Sequence, residues 1–408
     1  MTGSAANAPW LAIVGIGEEG VEGLGESARA LVRAAERVVG GERHLALAAP
    51  LIGGETLAWP SPLSDAIPQI LSYRGRPTVV LASGDPFCFG VGALLARHVG
   101  ESERLCLPAP SAFALACARL GWSAQETSQV SLCGRPLEPL APLLQPGRRL
   151  LALSADETTP AALAAYLAAR GFGPSRLQVL EALGGPAERR RATTAAGFDL
   201  ADIQPLNLVA VEVAAGPGAR IIPLACGLPD AAFEHDGLIT KREIRAVTLS
   251  ALAPCAGELL WDVGGGSGSI AIEWLLRHPS NRAVMLEPKP ERAARAARNA
   301  CQFGVPALRI VAEAAPQGLA GLPTPDAVFL GGGASDPAVI AAAWAALRPG
   351  GRLVANAVTI ETEAALLQAR TQFAGDLIRL SVERLEPIGG MLGFLPARTV
   401  TQWTAVKP

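Results

Sequence analysis

A chain of 408 residues, half of them hydrophobic, can bury two cores, and a formal charge of −2 leaves no global basic field for a nucleic acid or a membrane surface. Seven cysteines show no C-x-x-C pairing and four histidines no metal spacing, so neither a disulfide framework nor a metal centre is expected, and the odd cysteine count suits a reducing cytosol. No apolar run reaches bilayer length and no basic flank precedes an apolar core at the start, so a cytoplasmic protein without a membrane segment is expected.

In chain order, residues 11–17 read as a strand ending in a glycine turn at Gly15 and Gly17, followed by a helix over about 27–35 and a short strand at 37–41. The strongly apolar strand 77–82 runs into Ser83-Gly84-Asp85-Pro86, a loop of turn formers. A helix over 90–98, a strand at 104–107, a helix at 111–119 and a strand at 129–132 complete a first α/β lobe. The stretch 136–147 carries four prolines and reads as a connection within the first domain. A second α/β set follows, with strands at 149–154, 177–183 and 206–213, a helix at 160–170 and a charge cluster at 188–191. Breaker-rich residues around 215–236 mark the junction, which sets the expected domains at 1–220 and 237–408 with a linker over 221–236.

Beyond the junction, residues 241–252 form an amphipathic helix, with Thr240 as its candidate N-cap and Glu243 three residues on. The apolar run 259–263 then leads into Gly264-Gly265-Gly266-Ser267-Gly268 and a helical pattern at Ile270, Ile272, Trp274 and Leu275. Ser269 stands where the third glycine of a dinucleotide fingerprint belongs, and no Lys-Ser or Lys-Thr follows, so the loop is not a P-loop. Asp262 before the turn suits a ligand with an ammonium group and no pyrophosphate. Glu287, closing the next apolar run, falls where an acidic residue meets a ribose hydroxyl. S-adenosylmethionine has both parts.

Glu313 with Ala314, and the glycines at 331–333, follow later strands. A doubly wound sheet brings such strand ends to one crevice. Amino-group methylases of nucleic acid need a polar residue and two prolines where this chain has the three glycines, so a bulky substrate and carbon chemistry are favoured. Residues 377–385 and 399–404 read as closing strands. Arg292, Arg295 and Arg298, three apart, read as a solvated helix face, Arg292 excepted for its position near Glu287; Lys241, Arg242 and Arg245 either clamp substrate carboxylates or stand exposed.

Four stretches, 14–17, 40–45, 83–90 and 181–186, resemble the tetrapyrrole (corrin/porphyrin) methylases. Residues 237–245, followed by 261–273, resemble the decarboxylating precorrin methylase domain. Fused in this order, the two are similar to the two-domain, decarboxylating methylases of the aerobic cobalamin pathway. The resemblance implies an α/β chain: an N-terminal two-lobed tetrapyrrole-methylase fold and a C-terminal doubly wound, Rossmann-like class I methyltransferase domain. It implies an enzyme that uses two S-adenosylmethionines to methylate C5 and C15 of precorrin-6B and removes CO2 from the ring-C acetate, giving precorrin-8X. C5 methylation would fall to the N-terminal domain, and C15 methylation with decarboxylation to the C-terminal one.

The cofactor contacts carry over onto Thr240, Gly264, Gly265, Gly266, Ser267, Gly268, Glu287, Glu313 and Ala314, and in the N-terminal domain onto Gly15, Gly84, Asp85 and Ala112. No residue is assigned to proton transfer; Lys241, Arg242, Arg245 and Arg292 are the candidate clamps for substrate carboxylates. The partners implied are the tetrapyrrole and further copies of the chain in a homo-oligomer, with no nucleic acid, membrane or metal. Cys133 stands where relatives often carry histidine, and Gly265 where they often carry alanine or cysteine, a change expected to be harmless in a turn. A ribosomal RNA methylase of related fold is the alternative, disfavoured by the charge and the missing two-proline loop. A non-catalytic corrinoid carrier is disfavoured by the intact glycine loops and Glu287.

Overall fold

Runs rich in valine, isoleucine and leucine lose most water contact when buried on both faces, and they form the central strands here. The computed structural model describes residues 9–60 and 62–408, and the chain divides into two compact units. One takes the residues up to Leu137 and Gln145–Arg220; the other takes Glu138–Leu144 and Ile221–Pro408. The proline-rich stretch is thus not wholly a connection within the first half. Its residues Glu138–Leu143 form a 3-10 turn that packs in the second unit, where Ala141 is buried with Ala300 and Phe303.

The first unit holds two sheets. β1 (Leu11–Ile16), β2 (Arg37–Gly40), β3 (Glu55–Ala58), β4 (Thr78–Ser83) and β5 (Arg104–Leu107) are all parallel, in the order β3-β2-β4-β1-β5. β1 is buried along its whole length. β3, largely exposed at the sheet edge, has no apolar run to announce it in the sequence. The second sheet, in the order β6-β7-β10-β8-β9, comprises β6 (Thr127–Ser131), β7 (Arg149–Leu153), β8 (Arg176–Glu181), β9 (Arg189–Thr194) and β10 (Asn207–Glu212). Only the β6–β7 pair is parallel.

The charge cluster at 188–191 is the start of edge strand β9. Its arginines alternate, and Arg189 and Arg191 both reach the fully buried Glu181 of β8, at 2.7 and 3.1 Å. Burial pushes the Glu181 carboxyl up, but hydrogen bonds from Arg189, the Gln204 amide and Arg191 outweigh it and hold the group below the usual range.

In the second unit, β11 (Leu259–Val263), β12 (Arg282–Leu286), β13 (Arg309–Val311), β14 (Ala327–Leu330) and β15 (Arg352–Ala357) are parallel. β19 (Val400–Val406) pairs antiparallel with both β15 and the edge strand β16 (Asp376–Leu380), giving the order β13-β12-β11-β14-β15-β19-β16. β17 (Glu383–Ile388) and β18 (Met391–Pro396) form a separate hairpin inserted before β19. The closing strand expected over 377–385 is therefore two strands, β16 and the start of the hairpin. The Gly389-Gly390 pair between Ile388 and Met391, with Gly389 at φ 61°, is the two-residue turn that marks it.

Alternation along β11 sends Leu260 to one face, with Trp274, Met285 and Phe329, and Trp261 to the other, with Leu353 and Trp403. Helices therefore cover both faces, and chain direction across the sheet reverses between β11 and β14. That reversal places a crevice beyond the carboxyl ends of these two strands.

Candidate functional site: a cavity at the switch point

The loop after β11 turns sharply because Gly264, Gly266 and Gly268 hold φ of 72°, 58° and 76°, a region that disfavours any β-carbon. Gly264 also lies against the loop after β14: a β-carbon there would come 2.7 Å from the Gly332 backbone. This close approach makes the floor of a cavity of about 790 Å³. Gly265 differs from the harmless turn position expected of it. A β-carbon at 265 would lie 2.3 Å from Cγ of Met285, a fully buried residue, so alanine there requires Met285 to repack.

Glu287 is buried at the end of β12, with each carboxylate oxygen fixed by one amide: Gly266 N–H donates to Oε2 and Lys289 N–H to Oε1, both at 3.0 Å. Its remaining lone pairs are free to accept from hydroxyls. Asp262 is fully buried yet lines the same cavity. Its Oδ2 accepts from the Ala271 amide at 3.1 Å, whereas Oδ1 has no hydrogen-bond partner among the described residues, and neither does the buried Oγ of Ser267. Burial pushes the Asp262 carboxyl up to about 7, against the Ala271 hydrogen bond and with the Glu287 charge adding.

Two buried polar atoms without partners on the wall of one cavity ask for a ligand with donors. An ammonium and a ribose supply them, so the site fits S-adenosylmethionine. Thr240, Glu313 and Ala314 also line this cavity, as the sequence led one to expect.

The candidate clamps separate. Arg245 is fully buried and committed: Nε donates to Glu273 at 2.5 Å, Nη1 to Asp230 at 3.1 Å and to the Thr240 carbonyl, and Nη2 to the Leu228 carbonyl. Its guanidinium stacks over Phe233 at 4.9 Å, and Glu273 also accepts from the Gly227 and Leu228 amides. Arg245 is a strut that holds the 227–240 segment, not a substrate clamp. Arg242 is exposed and outside the cavity lining, whereas Lys241 and Arg292 line it. The helix begins at Arg242 with Lys241 as a cap without a side-chain bond, so Thr240 is not its N-cap, and Glu243 pairs with Arg384 instead of closing a capping box.

The arginine row is a solvated face only at Arg298, which is exposed; Arg292 and Arg295 are half-buried. Arg292 and Arg295 share Asp236 at 2.8 and 3.3 Å, and Arg298 holds Glu234 at 2.7 Å. The Leu238 amide, against slight burial, together with Arg292 and Arg295 holds the Asp236 carboxyl at about 2. These pairs fasten the 234–238 strap, whose continuation at 237–240 lines the cavity.

In the first unit the expected cofactor residues also converge at strand ends. A β-carbon on Gly15, in β1, would lie 1.9 Å from the Gly84 carbonyl oxygen and 2.5 Å from the Ala109 amide. One on Gly84, at φ 50°, would lie 2.7 Å from the Pro110 carbonyl oxygen. Asp85 accepts from the Phe87 amide at 2.8 Å, and Ala112 opens the helix Ala112–Leu120 behind its cap, Ser111. Cys133, in the position where relatives often carry histidine, donates its thiol to the Ser154 carbonyl at 3.2 Å.

Sequence reasoning missed a polar cluster beside them. After β2, His44 Nε2 lies 2.8 Å from Ser83 Oγ and 3.0 Å from Arg43 Nη2, and Arg43 pairs with Glu18. Burial, then the Arg43 charge, lowers the His44 imidazole to about 4, so the ring is neutral at physiological pH. The four residues sit at or just after the ends of three strands; Arg43, His44 and Ser83 fall in the stretches 40–45 and 83–90 that carry the resemblance, but nothing along the chain joins them to one another or to Glu18.

Among the described residues no helix is long and apolar enough to cross a membrane. A family model for tetrapyrrole (corrin/porphyrin) methylases matches residues 11–199, and one for a precorrin methyltransferase domain matches residues 231–407. A precorrin-6Y C(5,15)-methyltransferase [decarboxylating] from Sinorhizobium sp is 57% identical over 98% of this chain and 97% of its own. Its counterpart from Mycobacterium tuberculosis (strain CDC 1551 / Oshkosh) is 42% identical over 97% of this chain and 99% of its own. The crystallised C-terminal domain of precorrin-6Y C5,15-methyltransferase from Rhodobacter capsulatus is 44% identical, with a TM-score of 0.44, across 46% of this chain and 100% of that one. With both methylase domains matched in order and a relative at this identity along nearly its full length, the chain belongs to the precorrin-6Y C5,15-methyltransferase (decarboxylating) family.

Proposed function

We propose that this chain carries out two S-adenosylmethionine-dependent C-methylations of precorrin-6B, at C5 and C15, and decarboxylates its ring-C acetate to give precorrin-8X in cobalamin biosynthesis. One observation carries the reading: each unit presents a glycine-floored set of strand ends, and each lies in a methylase domain of this family. The first unit would add the C5 methyl; the second would add the C15 methyl and release CO2.

In the second unit Glu287 would hold the ribose, Asp262 and the 264–268 loop the aminoacyl end, and Ala314 the adenine side. Gly15, Gly84, Asp85 and Ala112 would line the first unit's cofactor site. The cofactor supplies an electrophilic methyl on a sulfonium. The acceptors are electron-rich carbons of a conjugated ring, so the chain needs no strong nucleophile; it must align carbon with methyl and exclude water. In the decarboxylation the C–C bond to the carboxyl carbon breaks, its electron pair enters the conjugated ring, CO2 leaves, and a solvent proton completes the methyl group.

The test incubates the full chain with precorrin-6B and methyl-labelled cofactor, counting methyl groups transferred and CO2 released. Two methyls and one CO2 are expected; zero or one methyl would sink the two-site reading. We place the enzyme in the cytoplasm as a homo-oligomer. The exposed Met391, Leu392 and Phe394 of the β17–β18 hairpin support a partner copy there, and light scattering that returns a monomer would refute it.

A further inference from the structure

The cavity of about 790 Å³ extends past the residues expected to hold the cofactor. Beyond the glycine loop, Glu287 and the 313–315 turn, the wall continues through Asn356, Val358, Val382, Arg384, Arg398 and Val400. Three valines and two guanidiniums make a surface for a ligand with a broad apolar body and anionic groups at its edge. Val382 stands immediately before β17 and Arg384 is its second residue, and the Ala397 amide donates to the Val382 carbonyl at 2.8 Å, which brings Arg398 to the hairpin's base.

The two arginines are in different states. Arg398 makes no hydrogen bond or ion pair among the described residues. Arg384 donates from Nη2 to Glu243 Oε2 at 2.6 Å. Their side chains are 40% and 46% exposed, so this pair holds little net energy and exchanges readily. Glu243 itself lines the cavity from the first turn of the helix Arg242–Leu252. A carboxylate of the chain thus already occupies one guanidinium, facing the space an acidic ligand would fill. Arginine's planar fork matches carboxylates in bidentate fashion.

We propose that Arg384 and Arg398 are the acceptor-binding residues of the second unit: they hold two carboxylates of the tetrapyrrole, and Glu243 occupies Arg384 until the acceptor displaces it. The inference rests on the tetrapyrrole reading of the same site. It places the retained acids at the hairpin base and leaves the valine wall for the part of the ring that meets the methyl donor.

The test uses the full chain with precorrin-6B, following C15 methyl transfer and CO2 release, with Arg398→Gln, Arg384→Gln, Arg398→Lys and Glu243→Gln. Each glutamine for arginine is expected to raise KM for the acceptor about tenfold or more, with a smaller change in kcat. Cofactor affinity by calorimetry should stay within about twofold of wild type. Arg398→Lys should recover part of the loss. Glu243→Gln should lower KM, and an unchanged or raised value overturns the displacement. The wild type should discriminate against the methyl-esterified acceptor and Arg398→Gln should not. An active wild type whose arginine variants keep both KM and ester discrimination overturns the clamp alone. A wild type that transfers no methyl to the tetrapyrrole overturns the functional reading and the clamp with it.

Discussion

Both units close the carboxyl ends of a parallel sheet with glycines that admit no side chain, Gly15 against Gly84 in one and Gly264 against Gly332 in the other, yet the polar groups beside them differ. The first unit places a guanidinium, Arg43, against a neutral imidazole, His44. The second buries two carboxylates, Asp262 and Glu287, on the wall of a cavity. Close backbone approach at the strand ends is therefore what the two units share. The charge around it is set separately, and Asp262 in the second unit leaves a buried carboxyl oxygen without a partner among the described residues.

The comparison breaks most visibly at the glycines. Gly84→Ala should abolish C5 methylation, by about a hundredfold or more, and leave C15 transfer and CO2 release in place. Gly264→Ala should do the reverse. Position-resolved counting of labelled methyls checks both, and a variant that loses both methyls equally would refute the division of labour.

Next in size is the strut. Arg245→Met strands Glu273 as an unpaired buried carboxylate, which costs about 3–5 kcal/mol. Denaturant unfolding of the full chain should show the second unit's transition moved to lower denaturant and the first unit's unchanged. Equal shifts of both would contradict a local role.

The pH dependences of the two sites should have opposite signs. Asp262 rises from 3.8 to about 7, so the folded second unit holds an extra proton between those values. Its stability is therefore greatest below about pH 4 with respect to this group and falls as pH rises through about 7. A cationic cofactor favours the carboxylate, so its affinity should increase over the same upward range with proton release; Asp262→Asn should flatten both profiles. A wild-type affinity independent of pH from 5 to 8 would refute this.

The smaller shift belongs to His44, lowered from 6.5 to about 4. Here the folded state binds fewer protons than the unfolded chain, so stability is present above about pH 6.5 and is lost as pH falls toward 4. An NMR titration of the His44 ring should find no transition between pH 5 and 8. A midpoint near 6.5 would remove the contrast with Asp262.

Much of the fold was legible because its signals are local. Leu11–Ile16 and Leu259–Val263 are mostly apolar runs buried on both faces, and their short length with the glycine turn that ends each marks them. β9 and the β17–β18 hairpin were not, because their apolar content does not alternate cleanly and their meaning depends on neighbours: Arg189 and Arg191 are strand residues only once Glu181 lies beneath them. The glycine-loop side of the second unit's cavity was legible for the same reason as the strands, since Gly264–Gly268 and Glu287 follow them directly. Its far side was not. Arg384, Arg398 and Asn356 come from distant segments, and nothing in their surroundings along the chain sets them apart from other polar residues.

Residue chemistry and spacing by themselves determined the two-domain α/β plan, the glycine turns and the acid after the second strand, because each depends on a few consecutive residues and the period of a strand or helix. Which cations face a ligand was decided only in three dimensions. Lys241, Arg242 and Arg245 stand within five residues of one another, yet one lines the cavity, one lies outside it and one is a buried strut. Lys241 precedes the helix on extended backbone and Arg242 opens it exposed, whereas the packing of Glu273, Asp230 and Phe233 around Arg245 buries that side chain and settles its role.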